Sequence, residues 1–253
     1  IFDMTIQYRH NGMGWKADLH SPLDIAIPMG IHGPKAWYVQ PPVMAPVMEN
    51  GFIGSIAEGG KVNFFQVNFN PHGNGTHTET LGHIDPEQFP ISKWKGPFFT
   101  HALLVSVAPQ TLSNGDEVIL WEQISEKVLH HRPAALIIRT SPNDPSKKTR
   151  DYSNTNFPYL EEEIGRRLNE MGVVHLLVDL PSVDRESDEG QLSCHHAFWG
   201  FPDLPRKEAT ISEMIFVKDE ILDGLYCLSL QPPSFELDAA PSRPILYPVV
   251  HVE

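Results

Sequence analysis

The chain has only two cysteines, Cys194 and Cys227, and they share no metal-ligand spacing. A disulfide-stapled scaffold or a thiolate zinc ribbon needs more than that. We expect both thiols to be reduced and structural, as in a cytoplasmic protein. Basic residues are also scarce: 19 Lys and Arg stand against 32 Asp and Glu, a formal net charge of -13. Such a surface repels phosphate backbones and anionic headgroups, which argues against nucleic-acid and membrane partners. No apolar run reaches the roughly 18 to 20 residues that cross a bilayer, and the opening Ile1-Phe2-Asp3-Met4-Thr5 lacks the pattern of a signal segment. There is no Gly-x-Ser-x-Gly elbow, no Gly-x-Gly-x-x-Gly and no phosphate-binding loop. Their absence argues against an α/β-hydrolase serine nucleophile and against nucleotide chemistry.

What is present suits one α/β domain spanning the 253 residues, with a sizeable core. Residues 1 to about 60 are Pro-rich and read as short strands and loops, with Trp15, Trp37 and Tyr38 as apolar anchors. Lys61 to Phe69 alternates apolar and polar residues, as a strand would. An α/β rhythm follows. Ala102–Val107, Ala134–Arg139 and Val173–Val178 read as buried strands, and Leu120–His130 and Tyr159–Met171 as helices. Ile215–Val217 and Tyr226–Leu230 read as strands joined through an Asp223-Gly224 turn. The polar segment from Thr140 to Phe157 is long enough to be functional, as a cover over a site. Mixed β-sheet layers with flanking helices fit this order best.

The richest stretch is Asn70-Pro-His72-Gly-Asn-Gly-Thr-His77-Thr-Glu79-Thr-Leu-Gly-His83. It brings three imidazoles and one carboxylate together, the ligand types that borderline and hard divalent cations prefer. His77 and Glu79 are two apart and share a strand face. Glu79 and His83 are four apart, which suits one helical turn after that strand. Gly73 and Gly75 let the backbone fold tightly, so that His72 returns to the same point. Further ligands are sought in Ser193-Cys-His195-His196-Ala-Phe-Trp199 and at Glu208 and Glu213, the last expected just before a strand. Trp15, Trp37, Phe198 and Trp199 are core or pocket aromatics, with core the commoner fate.

These segments together resemble the metal-dependent cyclase family, which includes kynurenine formamidases and isatin hydrolases. That family carries a His-x-Gly-Thr-His-x-Asp-x-Pro-x-His type motif, matched here by His72, Gly75-Thr76-His77, Glu79 and His83. Asp18–Leu23, Val178–Asp184, His195–Ala197 and Ile211–Glu213 resemble its other segments, in the same order. The resemblance implies a swivelling β/β/α fold and an oligomer, most simply a homodimer. It implies one or two divalent metals, zinc first and manganese or iron as alternatives. His72, His77, Glu79, His195 and Glu213 would be the ligands, and His83 the acid/base. The chain departs from the motif in three places: Glu79 replaces Asp, one extra residue separates His72 from His77, and Leu81 replaces Pro, which is expected to relax the turn before His83. The His195 to Glu213 gap is longer than in the formamidases, so His196 and Glu208 stand in reserve. The implied activity is metal-assisted hydrolysis of a small amide, ester or lactam, of the arylformamidase kind. The alternatives are a metal- or small-molecule-binding member without turnover and a metal-dependent lyase or cyclase.

Overall fold

The computed structural model describes residues 4–253, and eleven strands among them join in one mixed sheet. In chain order they are β1 (Thr5–His10), β2 (Met13–Asp18), β3 (Leu23–Asp24), β4 (His77–Thr80), β5 (Phe99–Val107) and β6 (Ala135–Thr140). β7 (His175–Val178), β8 (Thr210–Glu213), β9 (Gly224–Ser229), β10 (Ala239–Pro241) and β11 (Ile245–Val252) follow. Across the sheet the order is β1-β2-β11-β9-β5-β6-β7-β8-β4-β10, with β3 added beside β11. The four strands β5 to β8 run parallel. Parallel neighbours need crossovers, and helices α1 (Trp121–His131), α2 (Glu162–Glu170) and α3 (Ser193–Trp199) lie within them.

The near-continuous apolar runs of β5, β6 and β7 are explained by burial on both faces. Leu103, Val105, Leu136, Ile138, Leu176 and Val178 pack toward the helices, against Ile124 and Val128 of α1, Ile164 and Leu168 of α2, and Phe198 of α3. Ala102, Leu104, Ala135, Ile137 and Leu177 pack on the other face, under Ile25, Ile215, Val217 and Leu246. Glu162 and Glu163 in the first turn of α2 suit the positive end of its dipole, and Gly172 follows its end at φ 73°. No described helix is long and apolar enough to cross a membrane. Both cysteines are free and buried.

Several expectations need correction. Ile215–Val217 is a buried plug rather than a strand, held by Ile215 N–H to Val178 O and Phe216 N–H to Ile25 O. The strand is β8, so Glu213 ends a strand instead of preceding one. Asp223 does not close a hairpin; its carboxylate accepts from the Ser106 backbone and hydroxyl and pairs with Lys127 and Arg139. Tyr159–Leu160 is extended and pairs with Val118–Ile119, so α2 begins later than its apolar pattern suggested. Of Lys61–Phe69 only Phe65–Asn68 is a strand, paired with Val43–Pro46 in a separate ribbon and exposed throughout. Tyr38 is exposed and donates its hydroxyl to Asn154 rather than anchoring a core.

The Thr140–Phe157 segment is latched from within. Lys147, almost fully buried, donates to Asp179 Oδ2 at 2.8 Å and to Thr140 O at 2.8 Å. Further along, the backbone N–H groups of Asn154 and Asn156 donate to Glu186. Glu186 lines the cavity described next, so this segment buttresses one wall of it.

Candidate metal centre

Strand register builds the site. In the antiparallel pair of β4 and β8, Glu213 lies directly opposite His77 and Ile211 opposite Glu79. Directly opposed residues share a face, as do residues two apart, so His77, Glu79 and Glu213 project to the same side. The loop before β4 is pinned by Thr76, whose hydroxyl donates to Met214 O and accepts from Ile27 N–H. Gly75 takes φ 78°, and a Cβ on Gly73 would stand 2.6 Å from Val39 Cγ2. Both glycines are therefore required for His72 to fold back over the strand. After β4, Leu81–His83 forms a 3₁₀ turn with Leu81 fully buried and Gly82 N–H donating to Thr80 Oγ1. Leu81 does not relax that turn; its burial and the Thr80 cap hold it.

His195 arrives from the first turn of α3. Asp184 accepts from Cys194 N–H at 2.7 Å and His195 N–H at 3.1 Å, which fixes the start of that helix. The same carboxylate takes the His195 ring, Nδ1 to Oδ2 at 2.6 Å, and turns Nε2 to Glu79 Oε1 at 3.0 Å. Glu79 Oε2 meets His72 Nδ1 at 3.1 Å and His83 Nδ1 at 3.7 Å. Glu213 Oε2 lies 3.3 Å from His77 Nε2, and its Oε1 lies 3.8 Å from His195 Nε2. All six residues singled out in the sequence thus converge, from three separate parts of the chain.

Two further residues join them. Asp184 falls in a segment that resembles the family, but the sequence assigns it no role, because its place behind His195 depends on the α3 cap. Asp238 has no sequence signal at all; its Oδ2 lies 2.8 Å from His72 Nε2 and 3.4 Å from His83 Nδ1. Nothing in Leu237-Asp238-Ala239 marks it, because its position comes from the pairing of β10 with β4. The reserve residues are elsewhere. His196 contacts Phe201 O, and the Glu208 side chain pairs with Arg206 at the surface.

The donor set fits a divalent cation. Gly75 O only accepts, so His77 Nδ1 carries the proton that spans their 3.0 Å contact. In the neutral ring the lone pair is then on Nε2, which is buried, lacks a hydrogen-bond partner and lies beside a carboxylate oxygen. That arrangement is repulsive unless a cation stands between them. Among the described residues, three ligand sets of three are close enough to bind: His72/His77/Glu79, Glu79/His83/His195 and His72/His83/Asp238.

Charge in the site is tightly coupled. Burial opposes ionisation of Glu79, but His83, His195 and His72 overcome it and hold its carboxyl well below the usual range. Burial likewise opposes a charge on His195, and the hydrogen bonds to Asp184 and Glu79 reverse that, raising it well above the ordinary imidazole value. For His72 the Asp238 and Glu79 contacts outweigh burial and raise it to about 10. A cluster that stabilises positive charge this strongly is also suited to a divalent ion, which displaces the shared protons.

His72, Glu79, His83, His195 and Glu213 line a cavity of about 350 Å³. Trp37, Val39 and Leu192 supply apolar wall, and Ser182, Arg185 and Glu186 supply polar rim. Of the four aromatics considered, Trp37 lines this cavity, whereas Phe198 and Trp199 are fully buried and Trp199 packs 5.5 Å from the His195 ring. Trp15 lies apart, against His101.

Known proteins share this arrangement of sequence and fold. The model of the Cyclase family matches residues 2–185. The kynurenine formamidase of Bacillus thuringiensis (strain Al Hakam) is 27% identical over 198 residues, covering 76% of this chain and 83% of the relative. That of a Bacillus cereus strain is 27% identical over 202 residues, with 76% and 83% covered. An isatin hydrolase bound to the product analogue thioisatinate superposes with a TM-score of 0.66 at 10% identity, covering 91% of this chain and 92% of that one. Isatin hydrolase A from Ralstonia solanacearum gives 0.65 at 14% identity, with 90% and 91% covered. At those identities the superpositions establish a common fold.

Proposed function

The chain belongs to the Cyclase family, and from that premise we propose that it is a metal-dependent hydrolase of a small amide, ester or lactam, with the non-peptide C–N bond that a formamidase cleaves as its foremost target. The observation that carries this reading is the buried, unpartnered His77 Nε2, which faces Glu213, a residue that lines a substrate-sized cavity.

His72, His77, Glu79, His195 and Glu213 would hold one or two ions. Nitrogen and carboxylate donors favour zinc, with manganese or iron acceptable. A divalent ion there supplies Lewis acidity toward a carbonyl oxygen and a lower pKa for water. The chain's own residues do the rest. Asp184 holds the His195 ring so that Nε2 faces inward. His83, at the cavity edge, takes a proton from water and returns it to the leaving nitrogen or oxygen. Trp37, Val39 and Leu192 hold the apolar part of the substrate and exclude water from it.

We also read residues 1–253 as one domain and place it in the cytoplasm, consistent with two buried, unpaired thiols. A homodimer or higher homo-oligomer is supported by the exposed apolar ribbon of Val43, Met44, Phe52, Phe64, Phe65 and Val67.

The test is turnover of N-formyl aryl amines, aryl esters and small lactams by protein loaded with zinc or manganese. Hydrolysis adds one water to the product mass, which separates it from lyase or cyclase chemistry. Tight metal binding with no turnover of any of these substrates would overturn the reading in favour of a binding protein.

A further inference from the structure

We propose that Asp238 is a positioning residue of this site: it holds the His83 ring with its proton on Nδ1 and leaves Nε2 as the nitrogen that accepts. The inference rests on the proton-transfer role given to His83 above.

The geometry selects Asp238 over the other nearby carboxylate. His83 Nδ1 lies 3.4 Å from Asp238 Oδ2 and 3.7 Å from Glu79 Oε2. Glu79 is already committed, with Oε2 to His72 at 3.1 Å and Oε1 to His195 at 3.0 Å. A carboxylate can only accept, so a proton at this contact belongs to the imidazole, and in the neutral ring the other nitrogen then carries the lone pair. Asp238 Oδ2 also takes His72 Nε2 at 2.8 Å, which leaves His72 Nδ1 as the nitrogen facing Glu79. One oxygen thus orients two imidazoles.

Its placement is built into the sheet. Ala239 is registered opposite Glu79, and Asp238 O accepts from Thr80 N–H at 2.9 Å. The Thr80 hydroxyl contacts Asp238 O at 3.1 Å and accepts from Gly82 N–H, in the turn that carries His83. Thr80 therefore ties His83 and Asp238 to a common point. Asp238 lies outside the residues matched by the family model.

The experiment uses the zinc-loaded 253-residue chain and its Asp238→Ala and Asp238→Glu variants. Imidazole ¹⁵N shifts report the tautomer, with the His83 signal assigned by its loss in His83→Ala. Zinc content, kcat and KM are measured on the same samples. Wild type should show His83 protonated on Nδ1. Asp238→Ala should keep its zinc, move the proton toward Nε2 and lower kcat by about 10- to 100-fold with KM changed much less, as is usual for partners behind a working histidine. Asp238→Glu should restore part of both effects. An unchanged tautomer in Asp238→Ala overturns the proposal, and so does zinc lost in parallel with kcat, which would make Asp238 a ligand. The shifts need no substrate. A tautomer change in protein that hydrolyses nothing would uphold the positioning role while the hydrolase reading fails.

Discussion

Asp184 Oδ2 lies 2.6 Å from His195 Nδ1, and the same carboxylate accepts the backbone N–H groups of Cys194 and His195. One side chain thus caps a helix and orients its buried imidazole. Asp184→Ala should therefore lower metal affinity by about 10- to 100-fold. Titration with a competing chelator measures this. Unchanged affinity would remove His195 from the ligand set or Asp184 from its support.

His77 and His83 should separate cleanly. His77→Ala removes the buried lone pair beside Glu213, so bound metal and turnover should fall together. His83→Ala should retain its metal and lose roughly 10²- to 10⁴-fold in turnover, the usual contribution of general acid–base catalysis. Elemental analysis beside the rate assay decides the pair. Metal lost from the His83 variant would make His83 a ligand.

Lys147→Met should destabilise the fold by about 3–5 kcal/mol, because Asp179 would remain buried without its cation. Burial already pushes the Asp179 carboxyl up, with Lys147 and Thr140 only partly offsetting it. Denaturant unfolding at neutral pH reads the effect. A change within about 0.5 kcal/mol, typical of exposed substitutions, would show that the latch contributes little.

His175 gives the stability a pH dependence of definite sign. Burial lowers it to about 4, only partly offset by its hydrogen bond to Pro97 O. The unfolded imidazole titrates near about 6.5. Above both values neither state binds the proton and the full stability is present. As pH falls from about 6.5 toward 4 the unfolded chain gains the proton first, so stability drops, by on the order of 3 kcal/mol once both are passed. His175→Gln should flatten that part of the stability–pH curve relative to wild type. Identical acid limbs would place the sensitivity elsewhere.

The ligand strand was legible because two-residue spacing maps directly onto one face of a strand, and His77 and Glu79 obey it. The central strands and α1 were legible because apolar periodicity reports burial. Periodicity does not report hydrogen-bond partners, and the misread segments trace to that. Ile215–Val217 is as apolar as a strand yet plugs the sheet face opposite the helices, while the real strand ends at Glu213. Lys61–Phe69 alternates without a core to face. Asp238 was invisible for a related reason: its neighbour Thr80 is 158 positions away, and only sheet register brings them together.

β4, the strand bearing His77 and Glu79, is paired on both edges by segments made much later, β8 and β10. During synthesis its histidines leave the ribosome long before any partner exists. His195 follows 116 positions after Glu79, and Asp238 later still. At about 5–20 residues per second that interval lasts roughly 6–23 s for His195. Tight binding therefore waits for the later strands. A nascent product that stops before these strands carries three imidazoles and a glutamate but lacks the buried set that would retain an ion, so the centre matures only when β8 and β10 are in place.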